Sequence, residues 1–563
     1  MTARGAKHIL RRMIEPLEPR IAPATVAVVG QTASWTDFDG DKVTLKWTVG
    51  AAPIFSTDDV GSLDGLVVKR IAFTGTNTGA AVTLTVKAAG GGDGRIDLGR
   101  VDATGVGLAS WSSPRATIAE IDAGDGTASF KTFVSGGLGV HAVGLFSGAG
   151  GDGTSQIDGQ IGTFTVNGDI AATKLQLNAA GATKITKVEI KGSLLGTAAT
   201  SPADTGPRGV LEVFADEVGA IVIGGGIIGG KGGNTGVLQN FGSIGSLTIK
   251  GGVIGGEAGG AGTVTLASVK TLSIGGDLRG GVASGTGNIG ANRVDSFTLG
   301  GSIFGGTVSE TGTIGIGAAK TILIKGSIIG AQKLASGANS LTAALSVNSG
   351  IAGAPVASVT INGDLLGGSN ASGVNVSYNG ALIFGGNVTT LAIKGDIRGT
   401  DGLPAAILAR GTTPLAGGNF NAIGRLTVGG DVTLATIAAG HTTDISTLGA
   451  RIGNAENPDA GIGSVTVGGD WLHSSLTAGI NDAGSNGVDL ADTRSAGDAD
   501  RQAVIGAIVI KGDLLDNGAF AGTSGFAAQK IAKLTASGQA LFTTGGAAKT
   551  LNWDQIVFIR ELV

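Results

Sequence analysis

A short alternation of aliphatic and polar residues recurs along most of the chain. In Leu247-Thr248-Ile249 the two aliphatic residues fall on one side of an extended backbone and the threonine on the other, as in a half-buried strand. A variable residue, a glycine, a residue that is Asp, Ser or Gly, and two mostly apolar residues follow. Copies occur at residues 161–170, 185–196, 218–230, 244–256, 269–281, 294–306, 319–331, 356–368, 388–400, 423–432, 462–471 and 505–515, with a degenerate copy at 531–541.

The spacing of the copies predicts the architecture. The pattern glycines Gly251, Gly276, Gly301 and Gly326 are equally spaced, and the intervals elsewhere are more variable. Periods of this length are typical of solenoids and propellers, but a propeller blade needs about 40–45 residues for its four strands. Helical periodicity is missing. The sequence therefore predicts an all-β fold, a parallel β-helix of Gly-rich coils of about 25 residues each, in which longer intervals are surface loops.

Stacked coils would place equivalent aliphatic residues in two columns inside the β-helix. The first column is predicted to contain Leu247, Leu272, Phe297, Ile322, Val359, Leu391, Leu426, Val465 and Ile508. The second is predicted to contain Ile249, Ile274, Leu299, Ile324, Ile361, Ile393, Val428, Val467 and Ile510. Burial of each such side chain contributes about 1.5–3 kcal/mol. We expect the glycines that follow to form corners with positive φ.

Composition excludes several other classes. Of 563 residues, 105 are glycine, 42% are hydrophobic and only 4% are aromatic. Disordered linkers contain far fewer aliphatic residues than this chain, so that class is excluded. Collagen is excluded because it requires glycine at every third position, a period that this chain does not have. The sequence has no cysteine, which excludes disulfides, cysteine-ligated metals and thiol catalysis.

Charge and hydropathy give no indication of a nucleic-acid or membrane-spanning protein. The 39 Lys and Arg against 43 Asp and Glu give a net charge of −4, and no basic stripe follows the repeats, so we expect no nucleic-acid partner. The most apolar stretch, residues 218–230, is interrupted by glycines and is shorter than the roughly 20 residues of a membrane span. We expect no transmembrane segment.

The N-terminal segment, residues 1–25, is basic and differs from the rest. A secretory signal needs an uninterrupted apolar segment, whereas Ile9-Leu10 runs directly into Arg11-Arg12. Ala22-Pro23-Ala24 is similar to a small-residue cleavage site. Two interpretations stay open: a mobile basic terminus, or a segment linked to export.

Leu17-Glu18-Pro19-Arg20 resembles the LEPR segment near the N-terminus of many large bacterial exported or surface β-repeat (β-solenoid) proteins. That family continues with larger aliphatic residues, where this chain has Ile21-Ala22-Pro23-Ala24. The resemblance covers residues 17–24 and extends to the Gly-rich repeats. It implies a secreted or cell-surface, extracytoplasmic location in a bacterium and implies no catalytic activity.

The pattern divides the chain into four regions. They are a basic, export-linked segment (1–25), an N-terminal β-cap or small β-domain (26–92), the parallel β-helix (93–548) and a C-terminal capping strand (549–563). Caps are expected because an open solenoid edge pairs with other chains. Within the N-terminal region, residues 33–49 predict a hairpin around Asp39-Gly40. The polar, acidic residues 477–503 predict a surface loop.

Three aspartates in this hairpin form the first candidate metal site. Asp37, Asp39 and Asp41 alternate as in the opening of a calcium loop. An EF-hand places glycine sixth and glutamate twelfth, whereas here Gly40 is fourth and Thr48 twelfth. A simple Asp-Gly turn is the competing interpretation, so calcium is a possible cofactor and no other is indicated.

Two Gly-Gly-Asp-Gly segments are similar to the calcium-binding nonapeptide of β-helical repeats. They lie at residues 91–94 and 150–153. The aspartate position of the nonapeptide is filled by Ile96 and Ser155, so the metal ligand is missing. We expect turns.

A column of aspartates is the second candidate metal site. The position after the pattern glycine is occupied in five successive copies by Asp364, Asp396, Asp431, Asp470 and Asp513. Stacked carboxylates would repel one another, and a cation could relieve that repulsion. Alternatively, each aspartate hydrogen-bonds the backbone of its own turn. Serine could do the same, and it fills this position at Ser193, Ser302 and Ser327.

The sequence contains no recognisable set of catalytic residues. Hydrolases on this scaffold use clustered carboxylates, but the one Asp-Asp pair, Asp58-Asp59, lies in the N-terminal region. The four histidines, His8, His141, His441 and His473, lack metal-binding spacing. His473 near Trp471 could belong to a sugar-stacking surface, although a coil-edge position is the simpler interpretation.

The sequence therefore favours a non-enzymatic, extracellular or cell-surface structural or adhesion protein. Variable loops, chiefly between Gly326 and Gly512, would contact a cell-surface, matrix or glycan ligand. The alternative is a carbohydrate-active enzyme or glycan-binding module on the same scaffold. Loop carboxylates that meet in one groove beside an aromatic platform would support that alternative.

Overall fold

The structure is a computed structural model. It describes residues 25–59, 65–126, 130–139, 153–177, 184–196, 208–331, 341–369, 378–400, 404–412, 420–442, 455–481, 493–494, 497, 501–515, 524–543, 549–551 and 557–561. Apart from two short 3₁₀ turns, Gly75–Asn77 and Ile351–Gly353, the regular structure of these residues consists of β-strands. Most pair in parallel with the equivalent strand one coil away. The chain is thus an all-β parallel β-helix.

The N-terminal strands are antiparallel and continuous with the β-helix. They are Ala27–Val29, Thr32–Thr36, Lys42–Trp47, Ile54–Asp59, Leu66–Ala72 and Ala81–Lys87. Thr32–Thr36 pairs with Lys42–Trp47, which confirms the hairpin around Asp39-Gly40. Residues 70–72 and 81–83 also pair in parallel with the strands that follow them. The first parallel coil is therefore laid directly onto the antiparallel sheet.

Each coil of the β-helix has three faces. The first coils use strands that extend over more than one face: Ile96–Thr104, Ser110–Gly124 and Thr132–Leu138. The first face carries both predicted aliphatic columns and contains Ile161–Val166, Lys184–Ile190, Glu217–Ile223, Val356–Ile361, Val388–Ile393, Asn421–Val428, Gly461–Val467, Val504–Ile510 and Lys530–Ala536.

The second face consists of two-residue strands that follow the pattern glycine. They are Ile170–Ala171, Leu194–Leu195, Ile227–Ile228, Val253–Ile254, Leu278–Arg279, Ile303–Phe304, Ile328–Ile329, Leu365–Leu366, Ile397–Arg398, Val432–Thr433, Trp471–Leu472 and Leu514–Leu515. The first residue of each is buried, so this face adds a third apolar column that the sequence pattern had not assigned.

The third face leads back to the next coil. It contains Thr154–Ile157, Lys174–Leu177, Val210–Val213, Leu341–Gly350, Tyr378–Phe384, Ala405–Ala409, Ala435–Ala439, Ser475–Ala478, Ser524–Ala528 and Val557–Glu561. In the regular, equally spaced coils the third face runs into the first without a break, in Val237–Ile249, Thr263–Ile274, Asn288–Leu299 and Ile314–Ile324.

The two predicted columns are confirmed. Leu247 pairs in register with Leu272, and Leu272 with Phe297. Every residue predicted for either column is 2% exposed or less. The first column also continues toward the N-terminus, where the rings of Phe133 and Phe164 stack with centroids 4.4 Å apart. In-register stacking of like side chains therefore builds one continuous core.

Residues 477–503 were expected to form a surface loop, and for their first part this is wrong. Residues 477–478 belong to the strand Ser475–Ala478, which pairs in parallel on both sides. Ala478 and Ile480 are fully buried. Ile480–Asn481 pairs with Thr493–Arg494 in a separate two-stranded sheet. The sequence pattern does not predict this strand of the third face, because its residues are small and show only weak alternation of apolar and polar side chains.

Parallel stacking ends in antiparallel hairpins. Residues 531–541 begin as a coil copy, because Lys530–Ala536 pairs in parallel with Val504–Ile510. The chain then turns back, and Lys530–Ala536 pairs antiparallel with Gln539–Thr543. Ser537 and Gly538 have φ of 47° and 76°, the two positive values that a tight primed hairpin turn requires. Lys549–Leu551 likewise pairs antiparallel with Val557–Glu561. The described strands at this end of the β-helix are thus paired within the chain.

A charge in the second aliphatic column should disrupt several coils. Ile324 is fully buried and pairs in register with Ile361. Ile324→Asp should cost about 4 kcal/mol or more of unfolding free energy, because a buried carboxylate loses its hydration. Leu323→Asp, at the neighbouring outward-facing position, should cost about 1 kcal/mol or less. Thermal melting followed by circular dichroism measures both, and equal melting of Ile324→Asp and wild type would refute the column.

Candidate functional site

Three carboxylates converge at the tip of the N-terminal hairpin. Asp37, Asp39 and Asp41 follow the strand Thr32–Thr36, and one carboxylate oxygen from each lies within 4.8 Å of the other two. Asp37 is 1% exposed and Asp41 is fully buried. The backbone N–H of Asp41 donates to Oδ1 of Asp37 at 2.8 Å. The alternating Asp sequence therefore produces a compact, mostly buried carboxylate cluster.

A second loop encloses this cluster. It contains the Gly-Gly-Asp-Gly segment at 91–94, which the sequence had not connected with the hairpin. The backbone N–H of Ala89 donates to Oδ1 of Asp41 at 3.0 Å, and that of Gly94 donates to Oδ2 at 2.5 Å. A Cβ on Gly92 would lie 2.0 Å from Oδ1 of Asp41. The glycine is thus required for the loop to approach the carboxylate.

In the described part of the chain, no cationic side chain pairs with this carboxylate cluster. Oδ2 of Asp37 and Oδ1 of Asp39 are buried and have no hydrogen-bond partner among the described residues. None of the ion pairs among the described residues includes any of the three aspartates. Burial, assisted by the neighbouring Asp39, raises the pKa of Asp37 to about 7. A hydrogen bond that the Asp37 side chain can donate only when it is protonated lowers the pKa of Asp39.

The aspartate column proves to be a ladder of hydrogen bonds between coils. Oδ1 of Asp169 accepts the backbone N–H of Ser193, one coil further on, at 2.7 Å. The same bond, with distances of 2.7–3.0 Å, joins Asp277 to Ser302, Ser302 to Ser327, Ser327 to Asp364, Asp364 to Asp396, Asp396 to Asp431, Asp431 to Asp470 and Asp470 to Asp513. We name this set the inter-coil ladder.

The expectation that each aspartate bonds its own turn is therefore wrong. The acceptor oxygen reaches the equivalent residue of the next coil, a bond that serine also makes, as at Ser302. Among the described residues, the only group of three or more acidic or histidine side chains close enough to share a metal is Asp37, Asp39 and Asp41. A cation ladder along the column thus gains no geometric support.

The inter-coil ladder explains the pattern glycines. They were expected to adopt positive φ, but the glycines from Gly168 to Gly512 that precede the ladder position do not. Instead, a Cβ on Gly395 would lie 1.9 Å from Oδ1 of Asp364, and one on Gly326 would lie 2.2 Å from Oγ of Ser302. The positive φ belongs to other corner glycines before the third face, such as Gly287, with φ of 64°.

Alanine at a ladder glycine should be costly. Gly395→Ala should lower the free energy of unfolding by about 1–3 kcal/mol, because its methyl group displaces the Asp364 carboxylate from the N–H of Asp396. Gly290→Ala is the matched control, since Gly290 has no positive φ and a Cβ there meets nothing within 4 Å. Chemical denaturation compares the two, and equal stability would contradict the close-approach explanation.

The proposed sugar-stacking surface is wrong. Trp471 is 1% exposed, its indole N–H donates to the carbonyl of Ser474 at 3.0 Å, and its ring centroid is 5.1 Å from that of Phe526. A stacking platform must face solvent, whereas this ring fills the third apolar column. His473 follows at a corner with φ of 43°.

The other catalytic candidates occupy separate places. Asp58 forms an ion pair with Lys69 on the neighbouring strand, and Asp59 ends the strand Ile54–Asp59. His8 and His141 lie outside the described residues. His441 is 2% exposed, and burial lowers its pKa to about 4, opposed by a hydrogen bond with the backbone of Ile480.

The buried His441 should make stability depend on pH. An unfolded histidine has a pKa near 6.5, so the unfolded chain binds a proton that the folded chain excludes between about pH 6.5 and 4. The contribution of His441 is therefore complete above about pH 6.5 and decreases by about 3 kcal/mol as the pH falls toward 4. His441→Gln should flatten this part of the stability profile measured by denaturant titration. His473→Asn is the matched control, and identical profiles for wild type and His441→Gln would contradict the assignment.

The first coils also form a polar cleft that the sequence pattern does not predict. It has a volume of about 320 Å³ and is lined by Arg100, Glu120, Asp122 and Asp158. Arg100 donates through Nη2 to Oδ2 of Asp122 at 2.6 Å and lies 3.3 Å from Oε1 of Glu120. Burial raises the pKa of Asp122, opposed by Arg100. The cleft forms because Arg100 pairs in register with Glu120, and Asp102 with Asp122. This register becomes apparent only when the strands of the two coils are paired.

A shallow groove of about 770 Å³ crosses the regular coils. Its floor is formed by glycines such as Gly280, where a Cβ would lie 2.4 Å from the backbone nitrogen of Gly306. Phe304 lines the groove, and its ring centroid lies 4.1 Å from the guanidinium of Arg279. Val282, which is 54% exposed, also lines it. Lys231 and Glu257 are its charged lining residues, so the groove combines glycine backbone with a few apolar groups and one charge of each sign.

Comparison with known proteins identifies no relative. No protein-family model, no curated protein and no solved structure matches the chain. Within the part of the chain that the structure describes, no helix has the length and apolar character needed to cross a membrane.

Proposed function

We propose that the chain is a non-enzymatic, extracellular or cell-surface structural or adhesion protein that displays variable loops on a rigid β-helix. The supporting observation is that insertions do not disturb the stack. The interval between pattern glycines is longer from Gly326 to Gly363, and longer again from Gly469 to Gly512, than it is in the regular coils. Nevertheless Ile324, Ile361 and Ile393 remain paired in register.

This behaviour suits a display scaffold. The core columns and the inter-coil ladder fix the backbone of each coil independently of the residues that connect its faces. Successive coils can therefore carry connecting segments of different length and composition along the β-helix. Other repeat proteins likewise present extended binding surfaces built from successive repeats. The ligand class that fits is a cell-surface, matrix or glycan partner, contacted by these segments and by the glycine-floored groove.

The proposed location depends on the N-terminal resemblance. Leu17-Glu18-Pro19-Arg20 lies outside the described residues, so its support comes from the sequence. Fractionation of the native cells, protease treatment of intact cells and mass spectrometry of the mature N-terminus test it together. The proposal expects an extracytoplasmic chain that external protease cleaves, and a purely cytoplasmic chain would refute it.

Display by the loops is tested with the purified chain on a glycan array. Deleting residues 483–491 from the longest interval should leave the melting temperature within about 2 °C of wild type, because the deletion removes no described residue of the core or of the ladder. It should reduce binding at least tenfold. Lys270→Ala, at an exposed position in a regular coil, is the control and should bind as wild type does. Undiminished binding by the deletion variant would contradict loop display.

A second function is favoured by the polar cleft. Glu120, Asp122 and Asp158 beside Arg100 are the arrangement from which a carbohydrate-active enzyme on this scaffold would draw its acid and base. Incubation with a polysaccharide panel decides between the functions. Release of oligosaccharides that is lost in Glu120→Gln but kept in the distant control Asp295→Asn would replace the display proposal with the enzymatic one.

A further inference from the structure

We propose that the carboxylate cluster of Asp37, Asp39 and Asp41 binds a hard divalent cation that fastens the N-terminal cap onto the first coils of the β-helix. The inference is independent of the proposed function, because it concerns how the fold is closed at one end. It begins from the donor set: three carboxylates with one oxygen each within 4.8 Å of the others. Carboxylate oxygens are the preferred ligands of calcium and magnesium.

The second observation is the orphaned oxygen of a fully enclosed side chain. Asp37 is 1% exposed, and its Oδ2 has no hydrogen-bond partner among the described residues. Its Oδ1 is already engaged by the N–H of Asp41. An ionised carboxylate oxygen buried without a donor costs several kcal/mol. Oδ1 of Asp39 is likewise buried without a hydrogen-bond partner among the described residues. One cation could interact with both of these oxygens.

Among the residues that the structure describes, no neighbouring group supplies that partner. The donors that reach the cluster are backbone N–H groups, of which Ala89 and Gly94 serve Asp41 and Asp93 reaches Asp39 at 3.4 Å. These N–H groups orient the carboxylates, but they carry no net charge that could neutralise them. A proton shared between Asp37 and Asp39 is the alternative to a metal. A divalent cation would neutralise the pair more completely, because it can interact with all three side chains at once.

The position of the cluster gives the cation a structural consequence. The three aspartates belong to the hairpin of the cap, and the enclosing loop leads from the last antiparallel strand, Ala81–Lys87, into the first coil strand, Ile96–Thr104. A cation held by the hairpin would therefore also fix the loop through the bonds of Asp41. Loss of the cation should loosen this junction without affecting the distant coils.

Calorimetric titration of the metal-free full-length chain with calcium and, separately, magnesium tests the proposal. We expect one bound ion per chain for at least one of the two metals. At a hundredfold excess over its Kd, that metal should raise the melting temperature of the chain by at least about 2 °C. Hydrogen exchange at Asp41, Ala89 and Gly94 should slow, and exchange at Ile324 should not. No binding of either metal would overturn the proposal.

Asp37→Asn separates metal binding from a merely structural role. Its Oδ1 can still accept the N–H of Asp41, and its amide can donate to Asp39, so the variant imitates a protonated Asp37. Without metal it should melt at or above the wild-type temperature, since a buried charge is removed. Its affinity for the metal should fall at least tenfold. Asp93→Asn is the control, because the Asp93 side chain accepts the N–H of Arg95 outside the cluster, and it should bind as wild type does. Unchanged affinity in Asp37→Asn would refute the site.

Discussion

The structure depends on backbone hydrogen bonding between coils stacked at the spacing of neighbouring strands, about 4.8 Å. This distance applies at the corners as well as in the strands. At the corner that follows the first face, the close approach leaves no space for a Cβ, and an Asp or Ser oxygen of the preceding coil occupies that position. One constraint thus determines both the glycine and the polar residue after it, and it makes the corner a bonded part of the sheet.

The same constraint separates the scaffold from the segments it carries. Aliphatic columns and the inter-coil ladder require a particular residue at a few positions in each coil, while the connections between faces require only that their ends meet. Long intervals, such as that between Gly469 and Gly512, are therefore compatible with unbroken pairing of Val467 and Ile510. Sequence variation can accumulate in those connections without loss of the core.

The ends of a stacked structure present the opposite problem, because a terminal coil exposes unpaired backbone groups. Both ends of this chain change to antiparallel pairing, through the hairpin of Thr32–Thr36 with Lys42–Trp47 and through the turn at Ser537-Gly538. The N-terminal hairpin also carries the one cluster of buried carboxylates without a protein cation in the described residues.

The sequence by itself determined the β-helix, its coil length and the residues of two core columns, because alternation and period are local properties that repeat. The same residues could not show why the pattern glycines are needed, since the oxygen that excludes a Cβ at Gly395 comes from Asp364, a coil away. Tertiary structure alone decided that residues 91–94 enclose Asp41, that Arg100 meets Glu120 and Asp122, and that Trp471 is buried. Each of these contacts joins residues whose proximity follows from the register between coils, which no single repeat contains.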